Sequence, residues 1–275
     1  MSTNAEIGLS IKINNIETNY HDVGESDDVV LLIHGSGPGV TAWANWRLTI
    51  PELAKNYRVI APDMVGFGYT ERPGNINYTM DVWVEQAIGL LDALNITKAS
   101  VIGNSFGGAL ALALAIRYPE RVNKLVLMGS VGVPFKLTEG LDKVWGYTPS
   151  IENMKELLDI FAYNRGLVTD ELAELRYKAS IQPGFQESFS SMFPAPRQRW
   201  VEAMQSSPQD IEKLSHQTLI IHGLDDDVIP LENAYKFIRL IKHAQLHVYG
   251  ECGHWTQIEK KDEFNQLIDN FLNNE

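Results

Sequence analysis

The chain has 275 residues, 44% of them hydrophobic and 21% charged, which is enough for one large α/β domain or two small ones. With 23 Lys and Arg against 35 Asp and Glu, its net charge is -12, and no basic face for nucleic-acid binding is expected. This acidic balance favours solubility. It also means that a pocket for an anionic substrate must supply its own positive charge.

The chain carries a single cysteine, Cys252, which excludes an intramolecular disulfide. Its first residues show no basic segment followed by an apolar one, the pattern of a secretion signal. No apolar run approaches the roughly 20 residues that cross a bilayer. These features predict a soluble cytoplasmic protein that makes no membrane contact.

Short, continuous apolar runs recur along the chain and are typical of strands buried on both faces of a parallel sheet. Residues 7–23 instead alternate between apolar and polar, which predicts an antiparallel hairpin at the sheet edge. The other predicted strands are residues 29–33, 58–61, 99–102, 125–128, 218–221 and 246–249.

Helices are predicted between these strands from apolar residues at helical spacing, as at Val84, Ile88 and Leu91. Further helices are predicted after Gly107 and over residues 264–271.

One interval, residues 134–208, contains no strand-like run and is too long to lack structure of its own. We therefore predict an α/β fold with a mostly parallel central sheet flanked by helices. Its core domain comprises residues 1–133 and 209–275, and a helical cap, residues 134–208, is inserted after the sixth strand.

Residues 103–107, Gly-Asn-Ser-Phe-Gly, match G-x-S-x-G between a predicted strand and a predicted helix. The glycines permit a sharp turn that exposes the Ser105 hydroxyl, and the helix N-terminus behind it favours developing negative charge. The alternative is a glycine-rich turn with a surface serine. The strand and helix around the pattern favour a nucleophile in an α/β-hydrolase fold.

A serine nucleophile needs a histidine base oriented by an acid, in this fold in the order Ser, acid, His. The acid is expected after the strand at 218–221, where the aspartates at 225–227 leave the choice open, and His254 is the predicted base. Two backbone N–H groups would form the oxyanion hole: that of Phe106, after the nucleophile, and that of Ser36 in the glycine-rich loop at 34–39.

The other reactive side chains are given structural interpretations. Cys252 is interpreted as a small packed residue, since nothing places a base beside it. The remaining histidines brace loops or lack the spacing of metal ligands, so no metal is predicted; they are His21, His34, His216, His222, His243 and His247.

Several motifs resemble the meta-cleavage product hydrolases, carbon–carbon bond hydrolases of aromatic catabolism. The similarity covers almost the whole chain and is greatest to members that act on 2-hydroxymuconate semialdehyde and 6-alkyl analogues. Many esterases share the triad motifs, whereas Asn45, Asn104, Arg176 and Trp255 together are specific. The matching segments are residues 34–39, 43–47, 103–108, 144–147, 172–177, 188–200 and 252–255.

The resemblance implies that the acid is Asp226. It also implies cleavage of the C5–C6 bond of 2-hydroxy-6-oxohexa-2,4-dienoates to 2-hydroxypenta-2,4-dienoate and a carboxylic acid, without a cofactor, by a homo-oligomer. Arg176 would pair with the carboxylate of this small anionic substrate as a two-pronged fork. Asn45, Asn104 and Trp255 would hold the same end of the substrate.

Four residues of the predicted cap are candidates for the pocket around the C6 end of the substrate: Trp145, Ile151, Phe161 and Met192. Packing within the cap explains each of them equally well. Because the motifs most resemble enzymes for small substituents, hydrogen or small alkyl at C6 is expected to be preferred over phenyl.

Two other functions stay open at the level of sequence. An ester or lactone hydrolase would use the same triad, and a non-catalytic receptor for a small ligand can retain the triad residues. A dehalogenase or epoxide hydrolase is disfavoured, because those relatives carry aspartate at the position of Ser105.

Overall fold

The computed structural model describes residues 4–274, and one eight-stranded sheet runs through this part of the chain. The strands are β1 (Leu9–Ile13), β2 (Ile16–Val23), β3 (Val29–Ile33), β4 (Arg58–Pro62), β5 (Ala99–Asn104), β6 (Val122–Met128), β7 (Thr218–Gly223) and β8 (Ala244–Tyr249). Their spatial order is β1-β2-β4-β3-β5-β6-β7-β8. Strand β2 is antiparallel to β1 and β4, and all other neighbours are parallel. The predicted mostly parallel sheet with an antiparallel hairpin at its edge is confirmed.

Helices connect the strands and cover both faces of the sheet. They are α1 (Ala42–Trp46), α2 (Ile50–Leu53), α3 (Met80–Ala93), α4 (Phe106–Arg117), α5 (Glu139–Trp145), α6 (Ile151–Phe161), α7 (Asp170–Ser180), α8 (Phe185–Met192), α9 (Gln198–Ala203), α10 (Pro208–Ile211), α11 (Glu232–Leu240), α12 (Thr256–Glu259) and α13 (Lys261–Asn273). Single 3₁₀ turns lie at Pro119–Arg121 and Arg165–Leu167. In the described residues no helix is long and apolar enough to cross a bilayer.

Alternate residues of the central strands face two separate hydrophobic cores, as the pleat of a strand requires. Leu31 and Ile33 of β3 belong to the core that includes the buried residues of α3, α4 and α11. Val30 and Leu32 belong to the other core, with buried residues of α1, α2 and α13. Burial on both faces explains why these strands are continuous apolar runs in the sequence.

Helices α5 to α10 all lie between β6 and β7, so the predicted helical insertion after the sixth strand is present. Side chains one residue before α5, α6 and α7 cap these helices: Thr138, Ser150 and Thr169 each accept a hydrogen bond from a first-turn N–H group. The division into two domains at residues 134 and 208 stays a prediction.

A buried carboxylate fixes the position of α1, which carries Asn45. Asp63, directly after β4, accepts hydrogen bonds from the Ala42 N–H (2.6 Å), the Asn19 amide (2.8 Å) and the Tyr69 N–H (2.8 Å). Burial raises the pKa of Asp63 to about 6, although these donors oppose the rise. The start of α1 is therefore tied to the carboxyl end of the sheet.

Candidate active site

Ser105 lies at the sharp turn between β5 and α4, with φ of 56° and ψ of −112°. Few L-residues adopt this conformation, so neighbouring groups must hold it. The Ser105 N–H donates to the Met128 carbonyl (2.8 Å). A Cβ at Gly103 would lie 2.2 Å from the Gly107 carbonyl oxygen, and one at Gly107 would lie 2.3 Å from the Ile33 oxygen. Both glycines of the motif are thus required for the close approach of β3, β5 and α4.

Asp226 is the aspartate that contacts the histidine. Its Oδ2 accepts from His254 Nδ1 at 2.7 Å, and its Oδ1 accepts from the N–H groups of Val228 (2.8 Å) and Ile229 (2.9 Å). Asp225 and Asp227 are exposed, and Asp225 Oδ2 accepts only a longer bond, 3.3 Å, from the Cys252 N–H. Of the three consecutive aspartates, Asp226 has the geometry of a triad acid.

The electrostatics keep Asp226 ionised. Burial by itself would raise the pKa of Asp226, but His254 and the hydrogen bonds to the carboxylate outweigh it and leave the pKa below its usual value. Since a carboxylate only accepts hydrogen bonds, His254 Nδ1 carries the proton of their bond. His254 Nε2 is then available as a proton acceptor, as a general base requires.

Two other groups near the acid are inert. His222 Nε2 donates to the Ile229 carbonyl (2.9 Å) and lies 3.5 Å from Asp226 Oδ2. Burial lowers the pKa of His222, which favours the neutral ring. Burial also raises the pKa of the Cys252 thiol to about 12, so it is not a nucleophile near neutral pH.

One cavity holds Ser105 and His254 together. Its polar lining includes Asn45, Arg47, Asn104, Arg176, Trp255 and Gln257. Its apolar lining includes Leu141 and Val144 of α5, Met154, Leu158 and Phe161 of α6, and Val40, Leu172, Val228 and Ile258 from other parts of the chain. The arrangement can accept a ligand that has a polar, anionic part and an apolar part.

Asn45 and Asn104 are hydrogen-bonded to each other, and each still has one unpaired polar side-chain atom. The Asn104 side-chain amide donates to Asn45 Oδ1 (3.1 Å), which also accepts from the Gly35 N–H (3.2 Å). Asn45 Nδ2 and Asn104 Oδ1 are buried and have no hydrogen-bond partner within residues 4–274. Because unpaired buried polar groups are costly, both atoms favour a polar ligand in the cavity.

Positive charge at the cavity comes from two arginines. Arg176, on α7, has a side chain only 15% exposed; its Nη2 donates to the Gly39 carbonyl (2.6 Å) and its Nη1 lies 3.6 Å from Glu6 Oε1. Burial lowers the pKa of Arg176, and the Glu6 charge opposes this. Arg47, just after α1, donates to the Ala44 carbonyl (2.7 Å). The charged side chains that line the cavity are therefore both arginines, although the chain as a whole is acidic.

Sequence reasoning missed Arg47 and Glu6. Arg47 stands in the segment 43–47 that contains Asn45, so its position beside a site motif was a usable signal. Glu6 precedes β1 and meets Arg176, 170 positions later, only in the folded chain. No local pattern marks such a contact.

The predicted oxyanion residues are Ser36, which shares a cavity with Ser105, and Phe106, which follows Ser105 in the chain. Ser36, in the loop after β3, lines the cavity. Phe106 is the first residue of α4, and its N–H has no acceptor one turn earlier within that helix. Each amide can thus be available to a developing oxyanion.

The four cap candidates lie at different places in the fold. Phe161 lines the cavity, and its ring stacks on Trp255 (5.1 Å between centroids). Ile151 begins α6 and is 38% exposed. Met192 lines a second cavity, with Trp83 and Phe193. Trp145 is buried and donates to Ser36 Oγ (3.0 Å), a residue that lines the cavity. A role for these four residues at the C6 end of the substrate stays a prediction.

His34, directly after β3, has a structural role. His34 Nε2 accepts from the Met64 N–H (2.9 Å), and burial lowers the pKa of His34 to about 4, so its neutral ring braces the loop. Within residues 4–274 no group of three or more His, Cys, Asp or Glu side chains is arranged to hold a metal ion.

The geometry of the three aspartates generates a direct test. Asp226→Asn is expected to lower kcat about 10⁴-fold, the loss found when a serine-protease triad aspartate becomes an amide, because His254 then adopts the wrong tautomer. Asp225→Asn and Asp227→Asn are matched controls and should stay within about two-fold, since both side chains are exposed. Hydrolysis of p-nitrophenyl acetate by the three variants measures this. A large loss at Asp225 with Asp226 tolerant would exclude Asp226 as the acid.

The chain is similar to known enzymes along most of its length. The family described as alpha/beta hydrolase fold matches residues 28–261. A 2-hydroxy-6-oxo-2,4-heptadienoate hydrolase from Pseudomonas putida is 61% identical over 271 residues, covering 98% of both chains. A 2-hydroxymuconate semialdehyde hydrolase from Pseudomonas sp. (strain CF600) is 61% identical over 267 residues, covering 97% of this chain and 94% of that protein.

A solved structure is similar along nearly the whole chain. The meta-cleavage product hydrolase from Pseudomonas fluorescens IP01 superposes with a TM-score of 0.97 at 65% identity, covering 98% of this chain and 99% of that one. Identity at this level over full-length chains shows common membership and not only a common fold. The chain therefore belongs to the α/β-hydrolase family and, within it, to the meta-cleavage product hydrolases.

Proposed function

We propose that this enzyme hydrolyses the C5–C6 bond of 2-hydroxy-6-oxohexa-2,4-dienoates in aromatic degradation, releasing 2-hydroxypenta-2,4-dienoate and a carboxylic acid. The observation that carries the proposal is the shared cavity, in which Ser105 and His254 lie together with Arg176 and two asparagines that have unpaired polar atoms. A simple esterase has no need for buried cationic and amide groups beside its triad. The names of the two relatives describe substrates of this class.

The first half of the reaction is a proton transfer. In the dienol form, the electrons of the substrate do not allow the C5–C6 bond to break. A proton must leave the C2 hydroxyl and another must reach C5, which gives a 2,6-diketone with one remaining double bond. His254 can carry the proton, because an imidazole both accepts and donates one. Arg176 holds the carboxylate, and Asn104 and Trp255 fix the pose of the same end.

The second half is attack at the C6 carbonyl. Either Ser105 attacks and forms an acyl-enzyme, which water then hydrolyses to the carboxylic acid and free Ser105, or Ser105 and His254 activate a water molecule that attacks C6 directly. Both routes place negative charge on the C6 oxygen, where the N–H groups of Ser36 and Phe106 stabilise it. When the C5–C6 bond breaks, its electron pair moves to C5 and is delocalised into the C2 carbonyl as a dienolate, which is then protonated.

The C6 substituent would contact the apolar residues of α5 and α6. We propose hydrogen or a small alkyl group there, because a heptadienoate carries methyl at C6 and a semialdehyde carries hydrogen. The homo-oligomer, the cytoplasmic location and the independence from a cofactor stay predictions from the sequence.

A panel of dienolates that differ only at C6 tests the function. The purified protein should bleach the yellow ring-fission products that carry hydrogen, methyl or isopropyl at C6, with kcat/KM above that for phenyl. It should hydrolyse p-nitrophenyl acetate much less efficiently. Better turnover of the ester than of any dienolate would favour an esterase, and binding without turnover would favour a receptor. A preference for phenyl would overturn only the proposed substituent.

A second test concerns the carboxylate partner. Arg176→Ala should lower kcat/KM for dienolates by about 10- to 150-fold, since a hydrogen bond to a charged group contributes about 1.5–3 kcal/mol. It should barely change hydrolysis of the neutral ester. Arg239→Ala, an exposed arginine on α11, is the matched control and should affect neither substrate. Equal losses on both substrates would mean that Arg176 acts only through its bonds to Gly39 and Glu6.

A further inference from the structure

Trp145 makes a contact that its proposed place in the substrate pocket does not explain. It is the last residue of α5 and is 2% exposed. Its indole Nε1 donates a buried hydrogen bond to Ser36 Oγ at 3.0 Å. Ser36 lines the cavity and lies in the glycine-rich loop after β3, residues 34–39, here called the oxyanion loop. The bond therefore joins the inserted helices to the oxyanion loop.

The indole itself is held rigidly. It stacks on Phe193 with 4.4 Å between ring centroids and 11° between planes. Phe193 also lies edge-on to Phe106, with 6.4 Å between centroids. The residues that supply both predicted oxyanion N–H groups, Ser36 and Phe106, are thus in contact with one aromatic pair contributed by the inserted segment.

The oxyanion loop needs such support because its glycines leave the backbone around Ser36 conformationally free. Ser36 is flanked by Gly35 and Gly37, and glycine restricts the backbone less than any other residue. The Gly35 N–H is fixed by Asn45 Oδ1 (3.2 Å) on one side. On the other side, the Gly37 carbonyl accepts from the Val40 N–H (3.2 Å). Between these points, the Gly35 carbonyl accepts from His34 Nδ1 (2.7 Å), and the bond from Trp145 restrains the Ser36 side chain.

We propose that Trp145 is a positioning residue that aims the Ser36 N–H at the oxygen of the C6 carbonyl. The inference rests on the proposed function and deepens it. Oxyanion donors act only within about 2.7–3.1 Å of the developing charge, so a small rotation of the Ser36 peptide matters. In ketonisation, protonation at C5 withdraws from the C6 oxygen the share of the dienolate charge that conjugation places there, whereas attack at C6 builds a full negative charge on that oxygen. Loss of the Trp145 bond therefore slows carbon–carbon cleavage and leaves ketonisation nearly unchanged.

The test compares four variants in single-turnover stopped-flow absorbance: Trp145→Phe, Ser36→Ala, the double variant and Trp200→Phe. Trp145→Phe removes the donor, and Ser36→Ala removes the acceptor but keeps the backbone N–H. Trp200→Phe is the matched control, because its indole donates to the Pro194 carbonyl (2.7 Å) elsewhere in the inserted segment.

Cleavage should fall by about 10- to 100-fold in Trp145→Phe and in Ser36→Ala, a part of the 10²–10³-fold effect of losing an oxyanion donor. Ketonisation should stay within about two-fold, and the double variant should be no slower than the slower single variant, because both changes break one bond. Trp200→Phe should change neither rate.

Cleavage by Trp145→Phe at the wild-type rate would overturn the inference. So would an equal slowing of ketonisation and cleavage, or a loss of cleavage rate in the double variant that equals the product of the two single losses. If Trp145→Phe fails to fold, Ser36→Ala alone tests the inference, which requires that this variant slow cleavage and leave ketonisation nearly unchanged. Failure of the proposed function is a separate result, namely a wild-type protein that turns over no dienolate. In that case ester hydrolysis by the same variants would still decide, because it develops the same oxyanion.

Discussion

The hydrogen bond between Asp226 and His254 is the interaction on which the site depends. A carboxylate that is 1% exposed is tolerated in the interior only when it is paired and hydrogen-bonded. Asp226 meets this condition through His254 and the N–H groups of Val228 and Ile229. Because β5, β7 and β8 run parallel, Ser105, Asp226 and His254 all follow the carboxyl ends of their strands and meet at one edge of the sheet.

The inserted helices complete this arrangement, because they contact the catalytic loops directly. The carbonyl of Phe161, at the end of α6, accepts from the His254 N–H (2.8 Å), and the Phe161 ring stacks on Trp255. Trp145, at the end of α5, binds the oxyanion loop. One segment therefore lines the cavity, contacts the loop of the proposed base and contacts the proposed oxyanion loop, so substitutions within it can alter chemistry without contacting the substrate.

Much of the fold could be predicted, for physical reasons that particular residues make clear. Strands such as β5 are buried along their whole length, which requires the continuous apolar runs that mark them. The turn at Ser105 has its own signal in Gly103 and Gly107, because any side chain there would overlap with backbone. The segment 134–208 was identified as helical by its lack of strand-like runs, although the exact limits of a separate cap stay untested.

The parts that could not be predicted depend on long-range packing. Helical periodicity indicates which residues are apolar together, but not which neighbour each one faces. It therefore does not foresee that Ile151 is exposed or that Met192 lines a second cavity. The local sequence alone does not distinguish Asp226 from the aspartates beside it, since the choice depends on loop geometry. The approach of Glu6 to Arg176 needs the segment before β1 to lie beside α7, which no short motif records.

The division of the reaction between His254 and Ser105 is the central claim, and single-turnover stopped-flow absorbance of Ser105→Ala and His254→Ala tests it most directly. Ser105→Ala is expected to bind the dienolate and ketonise it but to release almost no product, whereas His254→Ala is expected to be slow in both ketonisation and cleavage. Cleavage by Ser105→Ala at nearly the wild-type rate would contradict the assignment of the nucleophile. Normal ketonisation by His254→Ala would show that another group carries the proton.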